Sequence, residues 1–211
     1  MATPTLVDVA TVAAQLSALV TEFGIAAVLL RLSDADERTL LSRIKTIAPV
    51  VQKADAALLI DQHYGLVARG GADGANVDGI DAMQDAAPSL KPDRILGVGG
   101  LTTRHDAMLA GEANADYVLF GEPDRHNERP SPEAIFERLQ WWAEVFEPPC
   151  VGYAATLEEV GLFAESGTDF VMVSDFVWSD PRGPHAALRD AQATIAEHHE
   201  RAFAAAHVAQ G

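Results

Sequence analysis

Three segments of this chain nearly repeat one another: Gly71-Ala72-Asp73-Gly74, Asn114-Ala115-Asp116-Tyr117 and Gly167-Thr168-Asp169-Phe170. Each closes a helix-like stretch and opens a short apolar one. Gly or Asn at the first position suits the left-handed residue that ends a helix. The small residue lets helix and strand lie close, and the Asp is placed to hydrogen-bond amides of its own turn. A turn that recurs between helix and strand means a recurring helix–strand unit, and so parallel strands. The three turns then belong on the amino-terminal face of the strands. The functional loops belong at the opposite, carboxyl ends.

The 211 residues are 48% hydrophobic, enough for one domain spanning 1–211 with ample core. The formal net charge is −16. Nucleic acid is excluded as a partner on that count, because counterion-release binding needs a basic face. An anionic substrate needs local cations or a metal to offset the field. Cysteine occurs once, at Cys150, so no intrachain disulfide forms. No apolar run approaches the ~20 residues of a membrane span. The first residues lack the charged-then-apolar order of a signal peptide. The expectation is a cytoplasmic protein with no membrane partner.

Apolar spacing predicts a helix over Val7–Phe23, then a strand over Ala26–Leu32 that contains Arg31. A helix follows from Ser33 to about Lys53, with Pro49 disturbing or ending it. Further strands are read at Ala56–Ile60, Gly74–Val77, Arg94–Val98 (after a Pro88–Pro92 break), Tyr117–Phe120, Cys150–Tyr153 and Phe170–Ser174. Helices start at Thr103-x-x-Asp106, at Ser131-Pro132-Glu133 and at Thr156-x-x-Glu159, the last a capping box. A Pro/Gly-rich turn precedes an Ala-rich helix to about Ala206. Seven strands and about eight helices fit an open doubly wound sheet or a (β/α)8 barrel. No G-x-G-x-x-G follows the first strand, and the strands are short, which favours the barrel.

In order and spacing, residues from about Ala26 to Asp180 resemble the thiamine phosphate synthase family, which includes thiazole tautomerases. The family's Gln-Leu-Arg-x-Lys reads Leu29-Leu30-Arg31-Leu32-Ser33 here, so Arg31 survives and the Gln and Lys do not. Its Asn-Asp-Arg reads Asp61-Gln62-His63. Its His-Leu-Gly-Gln-x-Asp reads Asn76-Val77-Asp78-Gly79-Ile80-Asp81, where the final Asp81 matches. Its Thr-Lys loop reads Glu122-Pro123-Asp124-Arg125-His126, with no Lys. Its Gly-Gly reads Gly152-Tyr153, and its Val-Ser is intact at Val173-Ser174. The family's opening strand has no clear counterpart: it is missing or degenerate, or Thr5–Val9 replaces it.

The resemblance implies an α/β fold of the TIM-type (β/α)8 barrel class. It implies an enzyme, a transferase of thiamine biosynthesis that joins a hydroxymethylpyrimidine diphosphate to a thiazole phosphate and releases diphosphate, with Mg²⁺ as cofactor. Two alternatives stand beside it. One is a catalytically degenerate barrel that binds a phosphorylated thiazole or thiamine phosphate. The other is a tautomerase-like isomerase with His63 as proton shuttle. The partners implied are a phosphorylated small-molecule substrate and a second copy in a homodimer.

The site residues each carry a structural alternative. Arg31 is the catalytic and diphosphate-binding candidate through its planar fork, or else the partner of Asp61 in an ion pair. Asp61 and Asp81 are the Mg²⁺ candidates, because Mg²⁺ takes carboxylate and phosphate oxygens; Asp78 reads as a turn residue. Gly152, Tyr153, Ser174 and Asp175 end the last strands, where backbone amides bind phosphate, and Asn76 completes the substrate-binding set. Gly152 could equally relieve crowding. Arg125 or Arg129 could stand in for the missing loop Lys. His63 is the second catalytic candidate, ahead of His105 and His126. His198, His199 and His207 read as surface residues, Cys150 as a small buried group, and Trp141 and Trp142 as packing or oligomer contacts.

Overall fold

The computed structural model describes the backbone of residues 1–124 and 126–208 and the side chains of 1–124 and 126–198. The chain divides into two compact units, Met1–Asp116 and Tyr117–Gly211. The first holds α1 (Ala10–Phe23), β1 (Ala27–Leu30), α2 (Glu37–Gln52), β2 (Ala57–Asp61), α3 (Val67–Gly70), β3 (Gly74–Asp78), α4 (Gly79–Leu90), β4 (Ile95–Gly99) and α5 (Arg104–Glu112). Its four strands pair in chain order, all parallel. The second unit holds β5 (Tyr117–Phe120), α6 (Pro132–Val145), β6 (Cys150–Ala154), α7 (Leu157–Ala164), β7 (Phe170–Val173), α8 (Asp175–Trp178) and α9 (Pro184–Val208). Here too β5, β6 and β7 pair in order and parallel.

The seven strands read from the sequence are the seven found among the described residues. The helices differ in detail. α8 was not expected, since four residues carry no periodic signal. α4 runs through Pro88 to Leu90, and the break comes after it. α2 likewise continues past Pro49 to Gln52. α1 begins at Ala10 rather than Val7, because Asp8 Oδ1 accepts from Ala10 N at 2.9 Å and turns the chain there.

The recurring turn behaves as one device. Gly71, Asn114 and Gly167 all take left-handed backbone, with φ of +78°, +64° and +83°. The following Asp does not bond within its own turn. Its Oδ2 crosses to the start of the preceding strand: Asp73 accepts from Leu58 N (2.7 Å), Asp116 from Leu96 N (2.7 Å) and Asp169 from Cys150 N (2.9 Å). These amides sit at the amino ends of β2, β4 and β6, so each turn lies at the amino end of its own strands. At Gly74 a side chain is forbidden outright, since a Cβ would collide with the Ile95 carbonyl of β4.

The opening strand is present in degenerate form: residues 1–6, not Thr5–Val9, run beside β1. Thr3 N donates to Leu29 O (2.9 Å), Leu29 N to Met1 O (2.9 Å) and Leu6 N to Arg31 O (3.0 Å). Only isolated parallel bridges result, Ala2 to Leu29 and Leu6 to Leu32. Pro4 has no N–H to continue the ladder. The Thr3 hydroxyl fills in, accepting from Arg31 N at 3.0 Å.

Core packing follows the apolar stripes. α2 buries Leu40, Ile44, Ile47 and Val51, and α1 buries Leu16, Leu19, Val20 and Phe23. Trp142 is fully buried and donates its Nε1–H to Pro148 O at 2.7 Å, so it is a packing residue. Trp141 stacks edge-on against it. No helix among the described residues is long and apolar enough to cross a membrane.

Candidate active site

In the first unit the carboxyl ends of β1, β2 and β3 carry Arg31, Asp61 and Asp78. Arg31 Nε lies 3.8 Å from Asp61 Oδ2, both half-buried, so the ion pair weighed from sequence exists. Burial pushes the Asp61 carboxyl above its ordinary range; Arg31 pulls it back, and Asp78 pushes it up again. Asp61 and Asp78 therefore feel one another. Gln62, next in the chain, holds φ at +61°, uncommon for a residue with a side chain. Its N–H reaches the Asn76 carbonyl at 2.9 Å, which fixes the turn against β3. Asn76 is fully buried and His63 half-buried, with its N–H donating to Asp61 O at 2.8 Å. Asp78 caps α4 by position without a side-chain bond, and Asp81 lies exposed in the first turn of that helix.

In the second unit Gly152 sits within β6. A Cβ there would meet Leu139 Cδ1 of α6 at 2.8 Å and Phe163 Cδ2 of α7 at 3.2 Å. Its small size thus answers helix packing behind the strand. Ser174 follows β7, is fully buried, and donates from Oγ to Asp175 Oδ1 at 3.3 Å; Asp175 opens α8 and is exposed. The capping box at Thr156 is half-formed. Thr156 Oγ1 accepts from Glu159 N (3.3 Å), but the Glu159 carboxylate accepts from Ala155 N (2.8 Å) instead of Thr156.

Arg129 explains that diversion. Its Nη1 donates to both Glu159 oxygens (2.9 and 2.8 Å), Nε to Gly121 O (2.9 Å) and Nη2 to Tyr153 O (3.0 Å). Its guanidinium also lies 5.6 Å from the Tyr153 ring centre. Sequence reasoning missed this pair, since 30 residues separate its members and no local pattern links them. Arg125, and the side chains of His199 and His207, lie outside the described residues.

His198 is not a simple surface residue: its Nδ1 lies 2.6 Å from Glu165 Oε1. His105 and His126 are exposed. Cys150 is fully buried, and burial raises its thiol pKa, as befits an inert packing group. Among the described residues, no group of three or more His, Cys, Asp or Glu side chains could hold a metal ion. A Mg²⁺ that draws most of its ligands from phosphate needs only one or two carboxylates; of the two expected from sequence, Asp61 is half-buried beside Arg31 and Asp81 is exposed.

A family profile described as thiamine monophosphate synthase matches residues 3–177. The chain belongs to that family. It is 38% identical over 192 residues to the thiamine-phosphate synthase of Rhodospirillum centenum, covering 89% of this chain and 92% of the relative. It is 31% identical over 154 residues to the thiamine-phosphate synthase of Erythrobacter litoralis, covering 71% and 72%. Among solved structures, thiamine phosphate pyrophosphorylase from Pyrococcus furiosus superposes with a TM-score of 0.73 at 19% identity, over 93% of this chain and 94% of that one. A 3-hexulose-6-phosphate synthase superposes at 0.66 with 15% identity, over 92% and 98%. The fold is accordingly α/β of the TIM type.

Proposed function

We propose that this chain is a thiamine-phosphate synthase of thiamine biosynthesis. The observation that carries the reading is the relative matched at 38% identity across nearly the whole of both chains. In the reaction, the C–O bond between the pyrimidine methylene and the diphosphate breaks, and its electron pair leaves with the diphosphate. The aminopyrimidine stabilises the resulting cation. The thiazole nitrogen then donates its lone pair to form the new C–N bond. The protein's work is to hold the diphosphate, neutralise developing charge and orient the thiazole.

Arg31 is the proposed diphosphate ligand, with its fork at the carboxyl end of β1 and Asp61 fixing its direction. Asp61 and Asp81 are the proposed Mg²⁺ carboxylates. When bound, the metal would neutralise the leaving diphosphate. The amides after Gly152 and Ser174 are the proposed cradle for the thiazole phosphate, with Tyr153, Asn76 and Asp175 lining the substrates. His63, whose N–H donates to Asp61 O, is the second proposed catalytic residue, and in a tautomerase-like isomerase it would be the proton shuttle. Cytoplasmic location and a homodimer complete the proposal.

A specific observation favours a second reading, a degenerate barrel that binds without turnover. The positions of the family's Gln and Lys are Leu29, buried, and Ser33, which donates to Leu6 O at 3.1 Å and accepts from Arg43 Nη1 at 3.2 Å. Incubating the protein with both substrates and Mg²⁺ decides between them. Thiamine phosphate and diphosphate formed in equal amounts, and rescue of a strain lacking the synthase, are expected. Ligand binding without product would replace the transferase by the binding protein.

A further inference from the structure

We infer that Arg129 and Glu159 are positioning residues that hold the turn after β6 in its phosphate-binding shape, an assignment that rests on the transferase reading above. All three guanidinium nitrogens of Arg129 donate inside the protein. Two acceptors are carbonyls at strand exits, Gly121 after β5 and Tyr153 in β6. The third is the Glu159 carboxylate, which also accepts the Ala155 N–H. The turn that follows β6 is thereby fixed at a carbonyl, through Tyr153, and at an amide, through Ala155. The same cluster anchors the loop after β5 and the first turn of α7.

Charge explains why both members are ionic. A bare carboxylate at the Ala155 amide would repel an incoming phosphate. Arg129 cancels it at hydrogen-bond distance, so the turn gains rigidity without a net negative field. The side chains are only 17% and 10% exposed, and the guanidinium nitrogens are already engaged. Arg129 is therefore not the stand-in for the lysine missing from this loop; it organises backbone and does not grip the diphosphate. Lysine cannot replace it, because one ammonium cannot reach two carbonyls and both carboxylate oxygens in a planar fork.

The test uses Arg129→Lys and Glu159→Gln in the full chain, with each substrate varied in turn. Both variants should raise KM for thiazole phosphate by about tenfold or more and leave KM for the pyrimidine diphosphate within about twofold. Amide hydrogen exchange at Ala155 should accelerate in both. Where either variant fails to fold, the double variant Arg129→Met with Glu159→Leu removes both charges at similar volume and should show the same split. Unchanged thiazole phosphate KM in folded variants overturns the assignment, and so does a rise confined to the diphosphate substrate. A wild-type chain that binds neither substrate brings down the transferase reading itself, and this role with it. A wild type that binds both while the variants bind equally well brings down this inference alone.

Discussion

Arg31 Nε and Asp61 Oδ2 face each other at 3.8 Å across the carboxyl ends of β1 and β2. Burial raises the Asp61 carboxyl above its ordinary range, and Arg31 is the main influence holding it down. A raised carboxylate costs stability as pH rises from the ordinary carboxylate value through the raised one, because the folded state then loses its proton last. Removing Arg31 leaves burial and Asp78 unopposed and widens that window upward. Arg31→Ala should cost about 1–3 kcal/mol at pH 7.5 and clearly less at pH 4.5. Adding Asp61→Asn should remove the pH dependence. Urea unfolding at both pH values reads this out, and an equal cost at each would refute it.

Arg31 and Asp81 separate the two ligands. Arg31→Ala should weaken affinity for the pyrimidine diphosphate by roughly 1.5–3 kcal/mol, the size of a charge-assisted contact. Asp81→Asn should abolish the Mg²⁺ dependence of that binding. Neither should change thiazole phosphate affinity by more than about twofold, since that ligand is assigned to the amides after Gly152 and Ser174. Calorimetric titration of both ligands on both variants gives the pattern. Equal losses for the two ligands would place Arg31 and Asp81 in structure, not in diphosphate binding.

The three aspartates of the recurring turn should act as staples of the amino-terminal face. Asp169→Ala leaves the buried Cys150 amide without its acceptor and should cost about 1–3 kcal/mol. Asp73→Ala should cost at least as much, since Asp73 also accepts from Gln52 Nε2 at 3.0 Å. Asparagine keeps an acceptor oxygen and should cost less at either position. Substrate affinities should hold throughout, because each of these residues sits at the amino ends of its strands and the proposed ligand groups at the carboxyl ends. Chemical denaturation measures the costs, and neutral alanine variants would show that the staples carry no stability.

How far each feature could be read depended on how local its cause is. Gly71, Asn114 and Gly167 announced their left-handed turns because the requirement lies within one residue. The aspartate beside each was recognised, but its partner was not: that amide lies 15 to 20 residues back, in the strand already laid down. The opening strand reads only as missing or degenerate because Pro4 breaks the alternation, leaving Thr3 to supply a side-chain bond in place of a backbone one. At the site, Arg31 and Asp61 were legible as charges at strand ends. Glu159 was read as half of a capping box. Its carboxylate instead holds the Ala155 amide and Arg129, and the latter lies 30 residues away, beyond the reach of a local pattern.

The last relationship joins α7 to α9. His198 Nδ1 lies 2.6 Å from Glu165 Oε1, and its ring lies over Gly161: a Cβ there would come within 2.6 Å of Nε2. In an ordinary helix Gly→Ala stabilises by up to about 1 kcal/mol. Here Gly161→Ala must push the imidazole aside and break its contact with Glu165, so the gain should be cancelled or reversed. In a His198→Ala background the notch is open, and Gly161→Ala should recover the full helix gain. The sign change between the two backgrounds, measured as a double-mutant cycle by thermal or urea unfolding, tests the docking directly. An identical effect of Gly161→Ala in both backgrounds would mean that His198 does not occupy the notch in solution.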